Sequence, residues 1–462
     1  MASDHTQELK EFKGKVKGPV ILPGDSNYDE VRKIWNAMID RRPAAIVRCA
    51  GADDVQQAIA FARDHKLELS IRGAGHNIAG NALCENGLMI DLSTLKKVRV
   101  EADKKRAHVD PGATLHDFDE AVQAHGLATP VGINSTTGIA GLTVGGGFGW
   151  LTRKYGMTVD NLVSADVVTA DGTKRLTNSN ENADLFWAIR GGGGNFGVVT
   201  RFEFQLHPVG PEILAGLMVF PFRQAKQVLQ SYRRFAESAP EELTVWVVMR
   251  KAPPLPFLSQ DVHGKEVVVL AIFYAGDIAK GQKLIDPIRS FGDLHGEHVG
   301  AQPYVQWQQA FDPLLAPGAR NYWKSHYFTE LRDEALDAII SFAGNMPSPH
   351  CEAFIGVLSG AANRVSPDAM AYAHRDVKFV LNVHGRWEQA SEDQKCIDWS
   401  RRLFAACTPY ASGGVYVNFM TDDEGGGRIT AAYGSNFERL AQIKKKYDPQ
   451  NLFHLNQNIK PA

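Results

Sequence analysis

The chain has 462 residues, of which 44% are hydrophobic and 22% charged, with a formal net charge of −2. This length predicts two or three domains with a sizeable core, and the near-zero charge argues against a nucleic-acid partner. Residues 1–10 are charged where a signal peptide requires an apolar run, and no segment approaches the ~18 apolar residues of a membrane span. We therefore expect a cytoplasmic monomer or homodimer without a membrane partner.

Cysteine and histidine spacings predict neither a disulfide framework nor a metal site. The fifteen histidines show no His-Glu-x-x-His pattern, so no metal ligand set is expected. No Cys-x-x-Cys pair occurs, and free thiols are expected at all five cysteines, which are Cys49, Cys84, Cys351, Cys396 and Cys407.

The first half of the chain alternates helical and extended patterns. Asp53 and Gln56 resemble a capping box that opens a helix over Val55–Arg63, and a strand follows over Leu67–Ile71. Further elements are expected before residue 208: an extended run over Asp91–Val100, a strand over Arg106–Val109, a helix capped by Thr114 and ended by Gly126, a hairpin of 161–170 with 174–177, a helix over Ala183–Arg190 and a strand over Val198–Leu206.

The composition changes after His207–Pro211, which is interpreted as a linker. Beyond it, alternating strand patterns are separated by helical ones, and an antiparallel sheet backed by helices is the simplest arrangement, which makes the fold class α+β. The strands are expected over Leu243–Met249, Glu266–Tyr274 and Val377–Val383, and the helices over Arg223–Ser238, Ile278–Phe291, Asp333–Asn345, Asp393–Thr408 and Phe437–Tyr447.

Three glycine-rich segments stand out: residues 72–77, 138–149 and 191–197. Such turns let backbone N–H groups converge on an anion, although each alone is also explained as a tight turn. The run 192–197 matches G-x-G-x-x-G but follows a helix and precedes a strand, the reverse of a dinucleotide-binding turn, and no P-loop motif is present. Together the three segments predict an extended cofactor held between two small sheets.

The motifs resemble those of the FAD-linked oxidases of the vanillyl-alcohol oxidase/p-cresol methylhydroxylase (PCMH) superfamily. The resemblance lies in Arg72–Asn77, Gly87–Leu92, Gly141–Gly149 and Leu185–Val199. Within that superfamily, the C-terminal motifs resemble the berberine-bridge-enzyme branch, and these are Tyr416–Asn418, Tyr433–Asn436 and Lys446–Phe453. The resemblance implies a two-domain PCMH-type fold, in which residues 1–208 bind FAD, residues 209–409 bind substrate and residues 410–462 rejoin the FAD domain.

The resemblance also implies how the cofactor is held. His76 matches the histidine that bonds covalently to the flavin in this family, with a merely hydrogen-bonding histidine as the alternative. Asn134 stands where doubly linked members carry a cysteine, so a single covalent link is expected. The implied FAD-binding residues are Arg72, Gly73, Ala74, Gly75, His76, Asn77, Asn134, Thr137, Gly138, Gly141, Leu142, Gly197, Val198, Tyr416 and Asn418.

Tyr416 is the first candidate for a catalytic base, because relatives use the tyrosine of this Tyr-x-Asn motif in that role. A tyrosine base needs a nearby cation or hydrogen-bond donors, and Lys324 is the candidate cation. Residues 354–360 contain no glutamate to match the base of the berberine bridge enzyme, so berberine-type ring closure is not expected. Weaker ionisable candidates are His326, Glu352 and His384, and an aromatic set that could line a pocket or pack in the core is Trp307, Tyr322, Trp323 and Trp387.

The expected function is two-electron oxidation of a C–OH or C–N group of a small organic molecule, with O2 as acceptor and H2O2 as product. Gly132 lies where relatives admit oxygen, which favours an oxidase. Two alternatives stay open: a flavin dehydrogenase with another acceptor, and a flavin-containing protein that sequesters a drug with little turnover. The sequence does not identify the substrate.

Overall fold

The computed structural model describes residues 5–462, which contain fourteen α-helices and eighteen strands arranged in four sheets. The strands are β1 (Val20–Ile21), β2 (Ala45–Arg48), β3 (Leu69–Arg72), β4 (Leu88–Asp91), β5 (Val98–Glu101), β6 (Arg106–Val109), β7 (Leu127–Ala128), β8 (Leu162–Val168), β9 (Lys174–Thr177), β10 (Val198–Gln205), β11 (His207–Pro208), β12 (Glu212–Pro221), β13 (Leu243–Lys251), β14 (Glu266–Tyr274), β15 (Gly296–Pro303), β16 (Arg320–Phe328), β17 (Glu352–Val357) and β18 (Phe379–Trp387).

The helices cover both halves of the chain and include several of only one turn. They are α1 (His5–Lys13), α2 (Tyr28–Val31), α3 (Ala52–Asp64), α4 (Leu115–Gln123), α5 (Ile139–Val144), α6 (Thr152–Tyr155), α7 (Ala183–Ile189), α8 (Ala225–Ser238), α9 (Ile278–Ile285), α10 (Tyr304–Gln308), α11 (Asp333–Ala343), α12 (Asp393–Cys407), α13 (Gly426–Tyr433) and α14 (Phe437–Tyr447). Across the described residues, no helix is long and apolar enough to cross a membrane.

The first half of the molecule contains a four-stranded sheet, a five-stranded sheet and the two-stranded sheet of β7 and β11. The four-stranded sheet has the order β1-β2-β4-β3, with β4 parallel to both β2 and β3. The five-stranded sheet has the order β5-β6-β10-β8-β9 and is antiparallel throughout. The glycine-rich segments follow β3, precede β10 or surround α5. The predicted α+β class is confirmed.

A seven-stranded antiparallel sheet, in the order β15-β12-β14-β13-β17-β18-β16, contains every strand from residue 212 to residue 387. Helices α8, α11 and α12 cover one face of this sheet. In α8 the buried residues repeat at helical spacing, which turns one apolar stripe toward the sheet; they are Ala225, Val228, Leu229, Tyr232 and Ala236. The opposite face of the sheet is therefore left to line a cavity.

Several local predictions are confirmed because short-range chemistry decides them. Thr114 caps α4, where its hydroxyl oxygen accepts from the Asp117 amide and Asp117 accepts in return from the Thr114 amide. Gly126 adopts a φ of +64° just after this helix, a conformation that favours glycine. The β8–β9 hairpin and helix α14 form as predicted.

Other local predictions are wrong because long-range contacts override them. Gly51 precedes α3, and no capping box involves Asp53, since the neighbouring Asp54 accepts from the amides of Gly18 and Ala50 instead. The run 91–100 is not continuous: β4 ends at Asp91, and a turn separates it from β5. Of the predicted linker at 207–211, residues 207 and 208 form strand β11, which pairs with β7, and residues 209–211 connect it to β12.

The C-terminal segment is fixed to the glycine-rich turn 191–197 by a buried ion pair. The Lys444 ammonium donates to the Asp448 carboxylate over 2.6 Å and to the carbonyl oxygens of Asn195 and Phe453, and neither charged side chain is exposed. Asp448 also accepts from the amides of Leu452 and Phe453. The charges of Lys444 and Asp448 are thus fully buried, and each is compensated by the other.

We expect Lys444→Met to lower the free energy of unfolding by about 3–5 kcal/mol, because the Asp448 carboxylate would be buried without a cation. Denaturant unfolding measures this loss. The matched control is Lys445→Met, which removes a charge from the exposed neighbouring position. Equal stabilities of the two variants would contradict the proposed role of the pair.

Candidate active site

A cavity of about 650 Å³ lies between the glycine-rich turns and the uncovered face of the seven-stranded sheet. Its lining on the turn side includes residues 73–77, 132–134, 137–138, 140–142, 193–195 and 197–199. The sheet side contributes side chains from alternating positions of β13, β14, β17 and β18, namely Trp246, Val248, Arg250, Val269, Ala271, Glu352, Phe354, Asn382 and His384. The cavity thus joins the first half of the chain to the second.

The turn side is rich in unpaired backbone donors. The amides of residues 74–77 have no hydrogen-bond acceptor within the described part of the chain. A Cβ built on Gly141 or Gly194 meets no protein atom within 4 Å, so both positions are open toward the cavity. Four consecutive N–H groups and side-chain-free walls fit a pyrophosphate, which needs donors rather than lysine or arginine side chains.

Gly138 explains why two of these turns can touch. A Cβ at this position would lie 2.9 Å from both the Ala74 Cβ and the Ala74 amide nitrogen. The turn after β3 and the start of α5 therefore pack against each other only because Gly138 has no side chain. This contact closes one end of the cavity.

His76 lines the cavity beside Trp35, whose ring stacks on the imidazole with centroids 5.1 Å apart. The Thr136 hydroxyl donates to the Asn134 side-chain oxygen and lies 2.9 Å from His76 Nε2. Since its one proton is used, Thr136 accepts from Nε2–H, and Nδ1 carries the lone pair, 3.5 Å from the Thr137 hydroxyl. Burial lowers the pKa of His76 to about 4, so the imidazole is neutral and nucleophilic at neutral pH.

Tyr416 also lines the cavity and is almost fully buried. Its phenolic oxygen accepts from the Gly147 amide over 3.0 Å and from the Asn418 side-chain nitrogen over 2.9 Å. Burial raises the pKa of Tyr416, and these two donors oppose that rise only in part. The group is a neutral phenol at neutral pH, with two donors already positioned for a phenolate.

Lys324 does not approach Tyr416, so the predicted pairing of the two residues is wrong. Strand β16 turns Trp323 toward the cavity, and the next side chain, Lys324, points to the opposite face. There the ammonium lies 2.9 Å from the carboxylates of both Asp423 and Glu424. Burial alone would lower the pKa of Lys324, but these two carboxylates raise it.

The weaker candidates are also divided between the cavity and the opposite face of the sheet. Glu352 and His384 line the cavity, whereas His326 bonds to the Phe404 carbonyl beneath the sheet. Among the aromatic candidates, Trp323 lines the cavity, and Trp307 lines a smaller adjoining cavity. Tyr322 and Trp387 do neither: they bond to Asp423 and Asp393, respectively.

A row of polar side chains crosses four strands of the sheet at the cavity. Arg250, Glu352, His384 and Trp323 are direct cross-strand neighbours on β13, β17, β18 and β16. One Glu352 oxygen accepts from Arg250 over 2.9 Å, and the other lies 3.1 Å from His384 Nδ1. Burial alone would raise the pKa of Glu352, but the His384 hydrogen bond and the Arg250 charge hold it below its usual range.

Sequence reasoning missed most of this face. The available signal was a polar residue at every second position of an otherwise largely apolar strand, as in Asn382, His384 and Arg386 of β18. It also missed Trp35, and Leu455–Gln457, which reach the cavity from the C-terminal tail.

Behind the cavity, Asp119 on α4 meets Gln308 on α10. The Gln308 amide nitrogen donates to Asp119 over 2.9 Å and to the carbonyl of Gly132, a cavity residue. Burial raises the pKa of Asp119 to about 7, because Gln308 is its one side-chain donor in the described residues.

We expect Asp119→Asn to remove part of the pH dependence of stability. The native pKa lies above the unfolded value, so the wild type binds an extra proton when folded and loses stability as pH rises from about 4 through 7. The variant should therefore be more stable than the wild type at pH ~8 and lose that advantage toward pH ~5, as measured by urea unfolding. Asp103→Asn, at an exposed site, is the control. A parallel pH profile for wild type and Asp119→Asn would contradict this assignment.

Comparison with known proteins agrees with the cavity chemistry. Residues 43–177 match the FAD binding domain family, and residues 415–460 match the family described as berberine and berberine like. An FAD-linked oxidoreductase of Dictyostelium discoideum is 31% identical over 462 residues, covering 99% of this chain and 97% of that protein. The chain belongs to the berberine-bridge-enzyme-like FAD-linked oxidoreductases. This oxidoreductase is therefore an FAD enzyme, as its motifs predicted.

Other relatives support the same assignment. The (R)-6-hydroxynicotine oxidase of Paenarthrobacter nicotinovorans is 28% identical, covering 96% of this chain and 97% of that protein. The solved structure of 6-hydroxy-D-nicotine oxidase from Arthrobacter nicotinovorans aligns with a TM-score of 0.84 and 26% identity, covering 97% of this chain and 98% of that one. Xylooligosaccharide oxidase from Myceliophthora thermophila C1 aligns with a TM-score of 0.86 at 23% identity, which shows the shared fold.

Proposed function

We propose that this oxidoreductase is an oxidase that removes a hydride from a C–OH or C–N group of a small organic molecule and passes the electrons to O2, forming H2O2. The observation that carries the proposal is the placement of the donor-rich turns opposite a polar, aromatic sheet face across one cavity. Bound FAD would supply the two-electron acceptor there. The oxidases among the relatives support the choice of reaction.

We further propose that residues 1–208 and 410–462 hold FAD and that residues 209–409 hold the substrate. The sheets support this division, because the seven-stranded sheet lies wholly within residues 212–387. The amides of 74–77 would bind the pyrophosphate, and the neutral imidazole of His76 would form a single covalent bond to the flavin. Asn134 offers no thiol for a second bond.

Tyr416 is proposed as the group that takes the O–H or N–H proton of the substrate. With no cation beside it among the described residues, its phenolate depends on the Gly147 and Asn418 donors. Because its pKa is raised, the proposal requires kcat to increase with pH throughout the alkaline range.

The test of the oxidase assignment is anaerobic reduction of the yellow protein by a panel of sugars, benzylic alcohols and cyclic amines, followed by mixing with air. Rapid reoxidation with one H2O2 per turnover is expected. Slow reoxidation in air with fast reduction of a quinone would identify a dehydrogenase instead. Binding without any flavin reduction would identify a sequestering protein.

Gly132, which lines the cavity, is the proposed point of oxygen entry.

We expect Tyr416→Phe to lower kcat about 100-fold or more while FAD content stays unchanged, because the proton acceptor is lost and the ring is kept. Stopped-flow measurement of flavin reduction gives the rate. The control is Tyr232→Phe, a buried tyrosine whose hydroxyl bonds to the Val245 carbonyl. The base assignment fails if Tyr416→Phe reduces its flavin at the wild-type rate.

A further inference from the structure

Arg250 has an unused hydrogen-bonding group at the cavity. It lies near the end of β13 and is 8% exposed. Its Nη1 donates to Glu352 and its Nε to the carbonyl of Lys251, over 2.9 Å and 3.3 Å. Within the described part of the chain, no acceptor bonds to its Nη2. One face of a nearly buried guanidinium is thus left for a molecule in the cavity.

The charges around Arg250 favour an anion. Arg250 and Glu352 are the lining residues whose side chains are charged at neutral pH, in the part of the chain that the structure describes. Arg386 lies on the same face of β18 as His384, and its pKa, which burial lowers to about 10, still leaves it protonated at neutral pH. His384 is neutral at neutral pH, since burial lowers its pKa. Two cations and one carboxylate therefore leave this face with one excess positive charge.

Aromatic side chains flank the same position. Phe354 is two residues after Glu352 on β17 and packs edge-on against Trp246, with ring centroids 5.1 Å apart. Trp246 in turn stacks on Trp150 at 4.2 Å. The wall beside Arg250 is consequently aromatic and apolar, and it offers ring faces against which a planar ring system can pack.

We propose that the substrate is a planar aromatic compound with a carboxylate group, which Arg250 binds through Nη2 while the ring lies against Phe354 and Trp246. The proposal rests on the proposed function, because it names the substrate class of that site. Both Glu352 oxygens are engaged, so Glu352 is a positioning residue that orients Arg250 and His384. A cationic amine is disfavoured by the excess positive charge.

The test measures binding by the holoenzyme and needs no turnover. Visible flavin absorbance is titrated with three ligands of one ring system: 2-naphthoate, 2-naphthamide and 2-(aminomethyl)naphthalene. We expect 2-naphthoate to bind at least about tenfold more tightly than the amide, and the amine to bind most weakly. The preference for the carboxylate should vanish in Arg250→Gln and persist in part in Arg250→Lys.

Two further variants control for charge and folding. Lys251→Gln removes a cation one residue away, on the opposite face of β13 near Glu266, and should keep the preference. The double variant Arg250→Gln/Glu352→Gln removes both charges of the pair, so neither is left buried without its partner, and it should lose the preference for the carboxylate. Equal binding of the three ligands, no response to 2-naphthoate, or a preference that survives Arg250→Gln would each overturn the inference. None of these results bears on whether reduced flavin reacts with O2, so the oxidase proposal is tested separately.

Discussion

In a His76→Ala variant, the flavin should separate from the protein on acid precipitation, whereas the wild-type pellet should stay yellow. The alanine has no lone pair with which to form the proposed bond, but the amides of 74–77 can still bind FAD reversibly. The variant should therefore be yellow when native and lose its colour in acid. Visible absorbance of the washed pellet and of the supernatant measures the outcome.

The control for this experiment is His116→Ala, since His116 lies on α4 at the surface and pairs with Glu120. Its pellet should remain as yellow as that of the wild type. A yellow His76→Ala pellet would place the covalent link elsewhere. A colourless wild-type pellet would show that FAD is held without a covalent bond, so that His76 has only a hydrogen-bonding role.

A Gly138→Ala substitution is expected to reduce flavin content and lower the melting temperature together. The new Cβ would lie 2.9 Å from the Ala74 Cβ and backbone nitrogen, so the two cofactor turns must separate. Overpacking of this kind costs about 1–3 kcal/mol, and here the distortion falls on the turn whose amides are proposed to bind the pyrophosphate. The measurements are flavin per chain after purification and thermal unfolding with and without added FAD.

Gly300→Ala provides the matched comparison, because a Cβ at that position on β15 meets no atom within 4 Å. It should retain wild-type flavin content and stability. If Gly138→Ala does the same, the packing of the two turns does not control cofactor binding.

Local chemistry made parts of this structure predictable. Thr114 and Asp117 cap α4 through contacts three residues apart, and the glycine segments indicate by residue type alone the turns that line the cavity. The predicted cofactor residues, with the exception of Arg72, line one cavity. The Arg72 side chain turns away to the Val31 carbonyl and toward Asp91, which leaves only its backbone near the turn.

Long-range pairing made the rest unpredictable. Arg250, Glu352 and His384 are distant in sequence, and only the register of β13, β17 and β18 makes them neighbours. The direction of the Lys324 side chain depends on the register of β16, because successive side chains of a strand point to opposite faces. A shift of one residue in that register would turn Lys324 toward the cavity and Trp323 away from it. Trp35 reaches His76 from a segment without regular structure, so no periodic pattern could reveal it.

The most direct test of the account is the visible spectrum and flavin content of the freshly purified protein. We expect a yellow protein with one FAD per chain and a flavin spectrum that changes when an aromatic ligand enters the cavity. A colourless protein that takes up no FAD on reconstitution would contradict the assignment of the cavity as the cofactor site.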